Sequence, residues 1–269
     1  MESRSAHAFP TLFSPIKVGP ATSRNRVMRV ATTSNLAEQN RVGARMLAFY
    51  RTVAEGGAGI VVSEAARVHP ADAVTPAAIP LFDRGPIQGL RRLSDAVHDA
   101  GALFLFQLNH GGRQHLGRRV GTLLAPSEIA CPRSGGVPHA MTTREVEQMV
   151  ECFVTAAMHA IEAGADGVEV HGAQGHLIGQ FVSPYTNRRE DRYGGSLENR
   201  LRFPTEILAG VRRRIGHRAI IGYRLAVEEF TAGGIDAAQA AEIAVLLARA
   251  GLCDYVSLSQ GNFNTIDTH

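Results

Sequence analysis

The sequence predicts an α/β fold, a TIM (β/α)8 barrel with about six of its eight strand–helix units present. Strand and helix candidates alternate along the whole chain, which is the order of a parallel barrel. The strand candidates are nearly continuous apolar runs, as expected for a sheet covered on both faces. Polar side chains follow the strands and are densest just after 167–170, at the strand end where such folds bind ligands.

Six segments have the β-branched and aliphatic composition of strands, and most are bounded by Gly, Pro or polar residues. They are 25–33, 58–63, 102–108, 167–170, 219–225 and Tyr255–Ser259. A lead-in segment over 9–18 contains the breakers Pro10 and Pro15. Each strand after the first is therefore expected to add to one parallel sheet.

Five helices are predicted between these strands from apolar residues at helical spacing. They cover 45–55, 86–100, 142–163, 196–215 and 236–250. Thr142 and Glu145 form a capping-box pattern at the start of the third helix, and Gly101, Gly164 and Gly251 end three of the helices. The stretch 109–141 is rich in Gly, Pro and Arg and is too long for a plain connection, which indicates a functional or lid-like excursion.

The chain is expected to be one barrel domain over 1–269 that is incomplete. The last predicted strand ends near Gly261, and residues 262–269 are too few to supply strands seven and eight with their helices. The first ten residues lack the apolar run of a signal peptide, so the chain is read as uncleaved.

Composition excludes several classes of function. A net charge of +3 with 6% aromatic residues does not give the focused basic face with stacking aromatics that nucleic acid binding needs. No window reaches the ~20 apolar residues that cross a bilayer. Cys131, Cys152 and Cys253 lie far apart, so neither disulfides nor a metal site is indicated, and a cytoplasmic location is expected. A small molecule is the expected partner, and a homo-oligomer is left open.

Four motifs carry a resemblance that covers nearly the whole chain. They are LFSP at 12–15, NRVM at 25–28, QLNHGGR at 107–113 and the stretch 171–203, which contains DRYGGSLENR. In these motifs the chain resembles the Old Yellow Enzyme family of FMN-dependent ene-reductases, in particular the branch with 2,4-dienoyl-CoA reductase and the NADH:flavin oxidoreductases. The 171–203 stretch is the most specific of the four.

The resemblance implies FMN lying across the carboxyl ends of the strands. The residues it places at the cofactor are Val30, Ala31, Thr32, Thr33, Ala65, Gln107, His171 and Arg224. The resemblance puts Thr33 where a hydroxyl tunes the redox potential of the flavin. It puts Gln107 where it would hydrogen-bond the pyrimidine edge of the flavin ring. Arg224 also has an independent case, because a fixed guanidinium stabilises the negative charge of reduced flavin.

The resemblance also implies a catalytic group made of His171, Gln174 and His176. His171 and Gln174 fall where the family holds a substrate carbonyl oxygen with two hydrogen-bond donors. His176 stands where the family usually has a proton-donating tyrosine. With the ordinary histidine pKa of about 6.5, His176 could take over that role, and we hypothesise that proton delivery is pH-sensitive.

These assignments predict hydride transfer from NAD(P)H through FMN to an activated C=C bond. No glycine-rich segment forms a dinucleotide fingerprint, so NAD(P)H is expected to visit the flavin only transiently. One alternative is an amine dehydrogenase, as in the trimethylamine dehydrogenase relatives. Another is a non-catalytic partial barrel whose open sheet edge serves as an interaction module.

Two further expectations concern cofactor content. Barrel phosphate-binding loops follow strands seven and eight, so weak or no FMN retention by these residues alone is predicted. An iron–sulfur cluster and FAD, which larger relatives carry, are expected only if the parent gene continues beyond this chain.

Overall fold

The computed structural model describes residues 8–72, 75–114, 122–262 and 265. The described residues begin at Ala8, so most of the N-terminal segment that the sequence predicts to be uncleaved lies outside them. Most of 262–269, which the sequence predicts to be too short for two more strand–helix units, also lies outside the described residues. Within the described part of the chain, no helix is long and apolar enough to cross a membrane.

A parallel sheet forms the centre of the fold and confirms the barrel-type prediction. Its strands are β3 (Met28–Arg29), β4 (Ile60–Arg67), β5 (Ile79–Pro80), β6 (Leu103–Asn109), β9 (Gly167–Gly172), β10 (Ile220–Ala226) and β11 (Tyr255–Ser259). The order is β11-β10-β9-β6-β4-β3, with β5 on β4, and every pairing is parallel. The carboxyl ends of all six predicted strands therefore lie at one edge of a curled sheet.

Two small strand pairs lie outside this sheet. The antiparallel pair β1 (Ile16–Val18) and β2 (Ala21–Ser23) turns at Gly19, whose φ of 54° suits a residue without a side chain. The pair β7 (Leu124–Ala125) and β8 (His139–Ala140) lies in the predicted excursion. Neither pair was predicted, since the first was read as a lead-in segment.

The five predicted helices are confirmed within one or two residues at their ends. The helices are α1 (Ala44–Glu55), α2 (Ile87–Asp99), α3 (Thr143–Glu162), α4 (Leu177–Val182), α5 (Leu197–Ile215) and α6 (Ala237–Ala250), of which the short α4 was not predicted. The capping box joins Thr142 and Glu145 as expected. Ser196 and Asp236 accept hydrogen bonds at the starts of α5 and α6, each worth roughly 1 kcal/mol.

The two faces of the sheet have different partners. Alternate residues such as Phe104, Phe106 and Val168 face outward and join the helices in the large hydrophobic core. Ile60, Val62, Leu105 and Ile220 form a separate inner cluster, against which Val18, Ala21, Met28 and Leu103 pack. The inner cluster thus gives the curled sheet an apolar floor, away from the strand ends that hold the polar residues.

The first strand is shorter than predicted, over Met28–Arg29 rather than 25–33. The Asn25 side chain accepts from the Val27 amide at 3.0 Å and donates to the Gly57 carbonyl at 2.8 Å, which holds a turn before the strand. After the strand, the Arg29 guanidinium donates to the carbonyls of Val62 and Thr32, so the chain leaves the sheet at Val30.

Candidate active site

Two levels of inner-face residues rise from the apolar floor towards the strand ends. The lower level consists of Ala65, Gln107, Glu169, Gly222 and Tyr255, which are register partners across β4, β6, β9, β10 and β11. The upper level consists of Arg67, Asn109, His171, Arg224 and Ser257, each two residues further along its strand. Because side chains alternate between the faces of a strand, both levels point to the inside of the curl.

The lower level contains a chain of hydrogen bonds. Gln107 Nε2 donates to Glu169 Oε1 at 2.7 Å, and Tyr255 Oη donates to Glu169 Oε2 at 3.0 Å. Glu169 has no exposed surface. A Cβ at Gly222 would overlap the ring of Tyr255, so only glycine leaves room for that ring on the inner face.

Burial controls the acidity of the two central groups at this level. It raises the pKa of Glu169, while the Gln107 hydrogen bond and the charge of Arg224 act in the opposite direction. Burial also raises the pKa of Tyr255 well above its ordinary value, and the nearby Glu169 adds to the rise. Tyr255 is therefore a hydrogen-bond donor at neutral pH.

Arg224 brings a fixed positive charge to the upper level. Its Nη1 donates to the Ala31 carbonyl and its Nη2 to Ser259 Oγ, both at 3.4 Å. The side chain is buried, and among the described residues its Nε has no hydrogen-bond partner. A buried guanidinium with long contacts and spare donors can bind an anionic or electron-rich ring edge.

His171 and His176 are brought together, with ring centroids 4.8 Å apart. Burial is the main cause of a pKa of His171 well below 6.5, and His176 and Arg224 lower it further. Burial and the Arg67 guanidinium lower the pKa of His176 to about 4. Both imidazoles are therefore neutral at pH 7, and the expectation of an ordinary pKa for His176 is wrong.

Gln174 lies in the turn between β9 and α4, three residues after His171. It adopts φ of 57° and is followed by Gly175 with φ of 69°. Its side chain is half-buried and makes no hydrogen bond to the described residues. A non-glycine residue in the left-handed region costs about 1 kcal/mol or more, and such strain is often kept at functional sites.

The segment predicted to line the flavin is Val30, Ala31, Thr32 and Thr33. Of these, Ala31 is tied to Arg224 through its carbonyl, while Val30, Thr32 and Thr33 are exposed. Ala65 is half-buried and is the register partner of Gln107. The segment therefore places one backbone carbonyl against Arg224 and leaves three exposed side chains beside it.

Four residues of this region were not predicted, namely Arg67, Asn109, Glu169 and Tyr255. Arg67 forms an ion pair with the buried Asp72 at 3.1 Å. Asn109 is fully buried, and neither its Oδ1 nor its Nδ2 has a hydrogen-bond partner among the described residues. Three of the four could have been found from the two-residue period of a strand, since they stand two positions from Ala65, Gln107 and His171.

These residues fit an isoalloxazine ring. Asn109, His171 Nδ1 and Arg224 Nε are buried polar groups without partners in the described structure, which is costly unless a ligand satisfies them. Gln107 and Arg224 supply the donor and the charge that a flavin pyrimidine edge needs. In the described ranges, no cluster of three or more His, Cys, Asp or Glu side chains could hold a metal ion.

Comparison with known proteins identifies the family of the chain. Residues 11–263 match the family model for the NADH:flavin oxidoreductase / NADH oxidase family. The chain is 37% identical over 264 residues to an NADH oxidase of Thermoanaerobacter brockii. That match covers 97% of this chain but only 40% of the relative, so the chain spans less than half of that protein.

Solved structures show the same fold. A 2-naphthoyl-CoA reductase in complex with 2-naphthoyl-CoA aligns with a TM-score of 0.89 at 31% identity, over 95% of this chain and 41% of that one. An old yellow enzyme homologue of Zymomonas mobilis aligns with a TM-score of 0.81 at 29% identity, over 93% and 74%. The chain therefore belongs to the NADH:flavin oxidoreductase / NADH oxidase family, the Old Yellow Enzyme family that its motifs resemble.

Proposed function

We propose that the protein is an FMN-dependent oxidoreductase that takes hydride from NAD(P)H and delivers it to an activated C=C bond. The observation that carries this proposal is the buried set of His171, Arg224 and Gln107 on the inner face at the strand ends. Buried polar atoms without partners among the described residues, those of Asn109, His171 and Arg224, lie at the same strand ends. The requirement for NAD(P)H and the free thiols at Cys131, Cys152 and Cys253 favour the cytoplasm.

FMN, when bound, supplies the hydride chemistry that amino-acid side chains lack. Arg224 would hold the negatively charged edge of its ring system, and Gln107 would hydrogen-bond the pyrimidine part. Ala65 and the segment Val30, Ala31, Thr32 and Thr33 would border the ring. These roles are the ones that the family resemblance implies, and the placement of Ala65, Gln107 and Arg224 on the inner face supports them.

The substrate is bound through an oxygen atom. His171 is neutral at pH 7, so one ring N–H can donate to the carbonyl oxygen of an enone or enoyl compound, and Gln174 can donate its amide. Charge develops on that oxygen during reduction. Each aimed donor is worth roughly 3 kcal/mol in comparable sites.

His176 remains our candidate for delivering a proton to the substrate, but not through a titration near pH 6.5. With a pKa of about 4 its cation is rare at neutral pH, about one molecule in a thousand. Proton delivery by this cation would therefore slow about tenfold for each pH unit between pH 6 and 8, because the cation fraction falls by that factor above the pKa. An unchanged turnover in His176→Phe would remove His176 from the reaction.

Amine oxidation is the less favourable alternative because of the local charge. The positive charges of Arg67 and Arg224 both act on the pKa of His171. A cationic ammonium substrate would be repelled by this field, whereas a carbonyl oxygen that gains negative charge would be stabilised. A non-catalytic module would leave the unsatisfied groups of the site without a purpose.

The test uses the 269-residue chain incubated with FMN. We expect the flavin to be reduced by NADH or NADPH but not by trimethylamine, and the reduced flavin to be reoxidised by 2-cyclohexenone. His171→Ala should lower the enone rate by about 100-fold, and the exposed His217→Ala is the matched control. Bound flavin that reacts with the amine but not the enone would overturn the assignment, and a monodisperse chain that binds no flavin would favour the module.

A further inference from the structure

The buried carboxylate of Glu169 lies beneath the site and is not assigned a role by the reaction proposed above. It receives one hydrogen bond from Gln107 and one from Tyr255, at 2.7 and 3.0 Å. Below it is the apolar floor, and its side chain has no exposed surface. Such a group is costly to bury, and its hydrogen bonds must be specific to offset that cost.

The contact with Glu169 fixes which end of the Gln107 amide faces it. Both oxygens of Glu169 accept a hydrogen bond, Oε1 from Gln107 Nε2 at 2.7 Å and Oε2 from Tyr255 Oη, so the amide faces the carboxyl group with its donor end rather than with Oε1. The Gln107 backbone is fixed as well, because its N–H donates to Ser63 Oγ at 3.1 Å. A flipped Gln107 amide would place its Oε1 acceptor against the acceptor oxygen of Glu169.

One amide hydrogen and Oε1 of Gln107 remain available after this bond is made. Together they form an acceptor next to a donor. The pyrimidine ring of a flavin offers the complement, an N3–H donor next to a carbonyl acceptor. A rotated or disordered amide would match that edge only part of the time.

Resting on the proposed function, we propose that Glu169 is a positioning residue that locks the Gln107 amide to present an acceptor and a donor to the flavin pyrimidine ring. Tyr255 holds the far oxygen of the same carboxylate, and Gly222 makes room for its ring. Tyr255 therefore supports Glu169 but does not decide the amide orientation.

The test measures binding of FMN and of 3-methyl-FMN, which lacks the N3–H donor, by quenching of flavin fluorescence. The wild-type chain should prefer FMN by about tenfold, the value of one good hydrogen bond. Glu169→Gln, which can donate as well as accept, should lose most of this preference. Tyr255→Phe is the matched control and should keep it, because Glu169 still accepts from Gln107.

Glu169→Asp provides a second variant in case the amide substitution disturbs folding, which circular dichroism would reveal. It keeps the acid but withdraws it by one methylene from Gln107, so it should lose the preference too. A preference that persists in both Glu169 variants overturns the inference, as does an equal loss in Tyr255→Phe. Equal binding of both flavins by the wild-type chain overturns this inference alone, whereas binding of neither overturns the proposed function with it.

Discussion

Arg224 and His171 are register partners on the neighbouring parallel strands β10 and β9, with both side chains buried on the inner face. This pairing places a permanent cation beside a histidine that also loses its hydration. Burial and the charge of Arg224 thus both disfavour the protonated form of His171. The histidine is kept as a neutral donor over the whole physiological pH range.

Removal of the Arg224 charge should raise the pKa of His171. In Arg224→Gln one of the charges that lower this pKa is lost, while burial, the largest cause, remains. The value should therefore rise but stay below 6.5. NMR titration of the imidazole ring measures it, with the exposed Arg213→Gln on α5 as control. An unchanged titration in Arg224→Gln would show that the two groups do not interact.

His176 should make the fold sensitive to acid. Its pKa is about 4 when folded and about 6.5 when unfolded, so its contribution to stability is complete above pH 6.5 and is lost as the pH falls towards 4. Urea unfolding of the wild type should lose about 1–2 kcal/mol more than His176→Gln between pH 7.5 and pH 5. Parallel losses in the two proteins would contradict the lowered pKa.

Gly222→Ala should destabilise the protein because the added methyl group overlaps the Tyr255 ring. Overpacking of this kind costs about 1–3 kcal/mol in the free energy of unfolding. Gly89 in α2 is the matched control, since its added Cβ would meet Val42 at an ordinary 3.5 Å. Gly89→Ala should stabilise by about 0.5–1 kcal/mol. Chemical denaturation measures the free energy of unfolding of both variants. Equal changes in Gly222→Ala and Gly89→Ala would refute the steric argument.

Asn109→Leu should separate stability from ligand binding. It removes two buried polar atoms without partners in the described structure, so unfolding should become harder by about 1 kcal/mol. If Asn109 serves a ligand, FMN or enone binding should weaken in the same variant. Gln180→Leu is the contrast, because Gln180 is buried but bonded to Gly111, Gly175 and Arg113. Gln180→Leu should therefore lower the free energy of unfolding. An unchanged or higher free energy of unfolding in Gln180→Leu would undermine the comparison.

Much of the fold could be predicted because each strand and helix carries its own local signal. Apolar runs such as that of β4 and stops such as Gly251, with φ of 63°, do not depend on distant residues. The hairpin of β1 and β2 was missed although Gly19–Pro20 is a turn signal. The first strand was overextended because its end depends on Arg29, which reaches to Val62.

The site was less accessible to sequence reasoning. His171, Gln107 and Arg224 were selected through a resemblance, and the structure places them on one face of the sheet. The contact between Glu169 and Tyr255 crosses Gly222 on the intervening strand, so it depends on the register of three strands. Likewise, the lowered pKa of His176 arises from burial and from Arg67, and neither can be read from the residue type.

The N-terminal hairpin has a consequence for how the chain assembles. Val18 and Ala21 pack on an inner cluster whose members come from Ile60 to Ile220, so their contacts span most of the chain. During synthesis the hairpin emerges before β4, β6 and β10, so the cluster on which it packs is complete only after β10 has been made. We therefore expect it to close the barrel floor late in folding, and its long-range contacts to slow the final step.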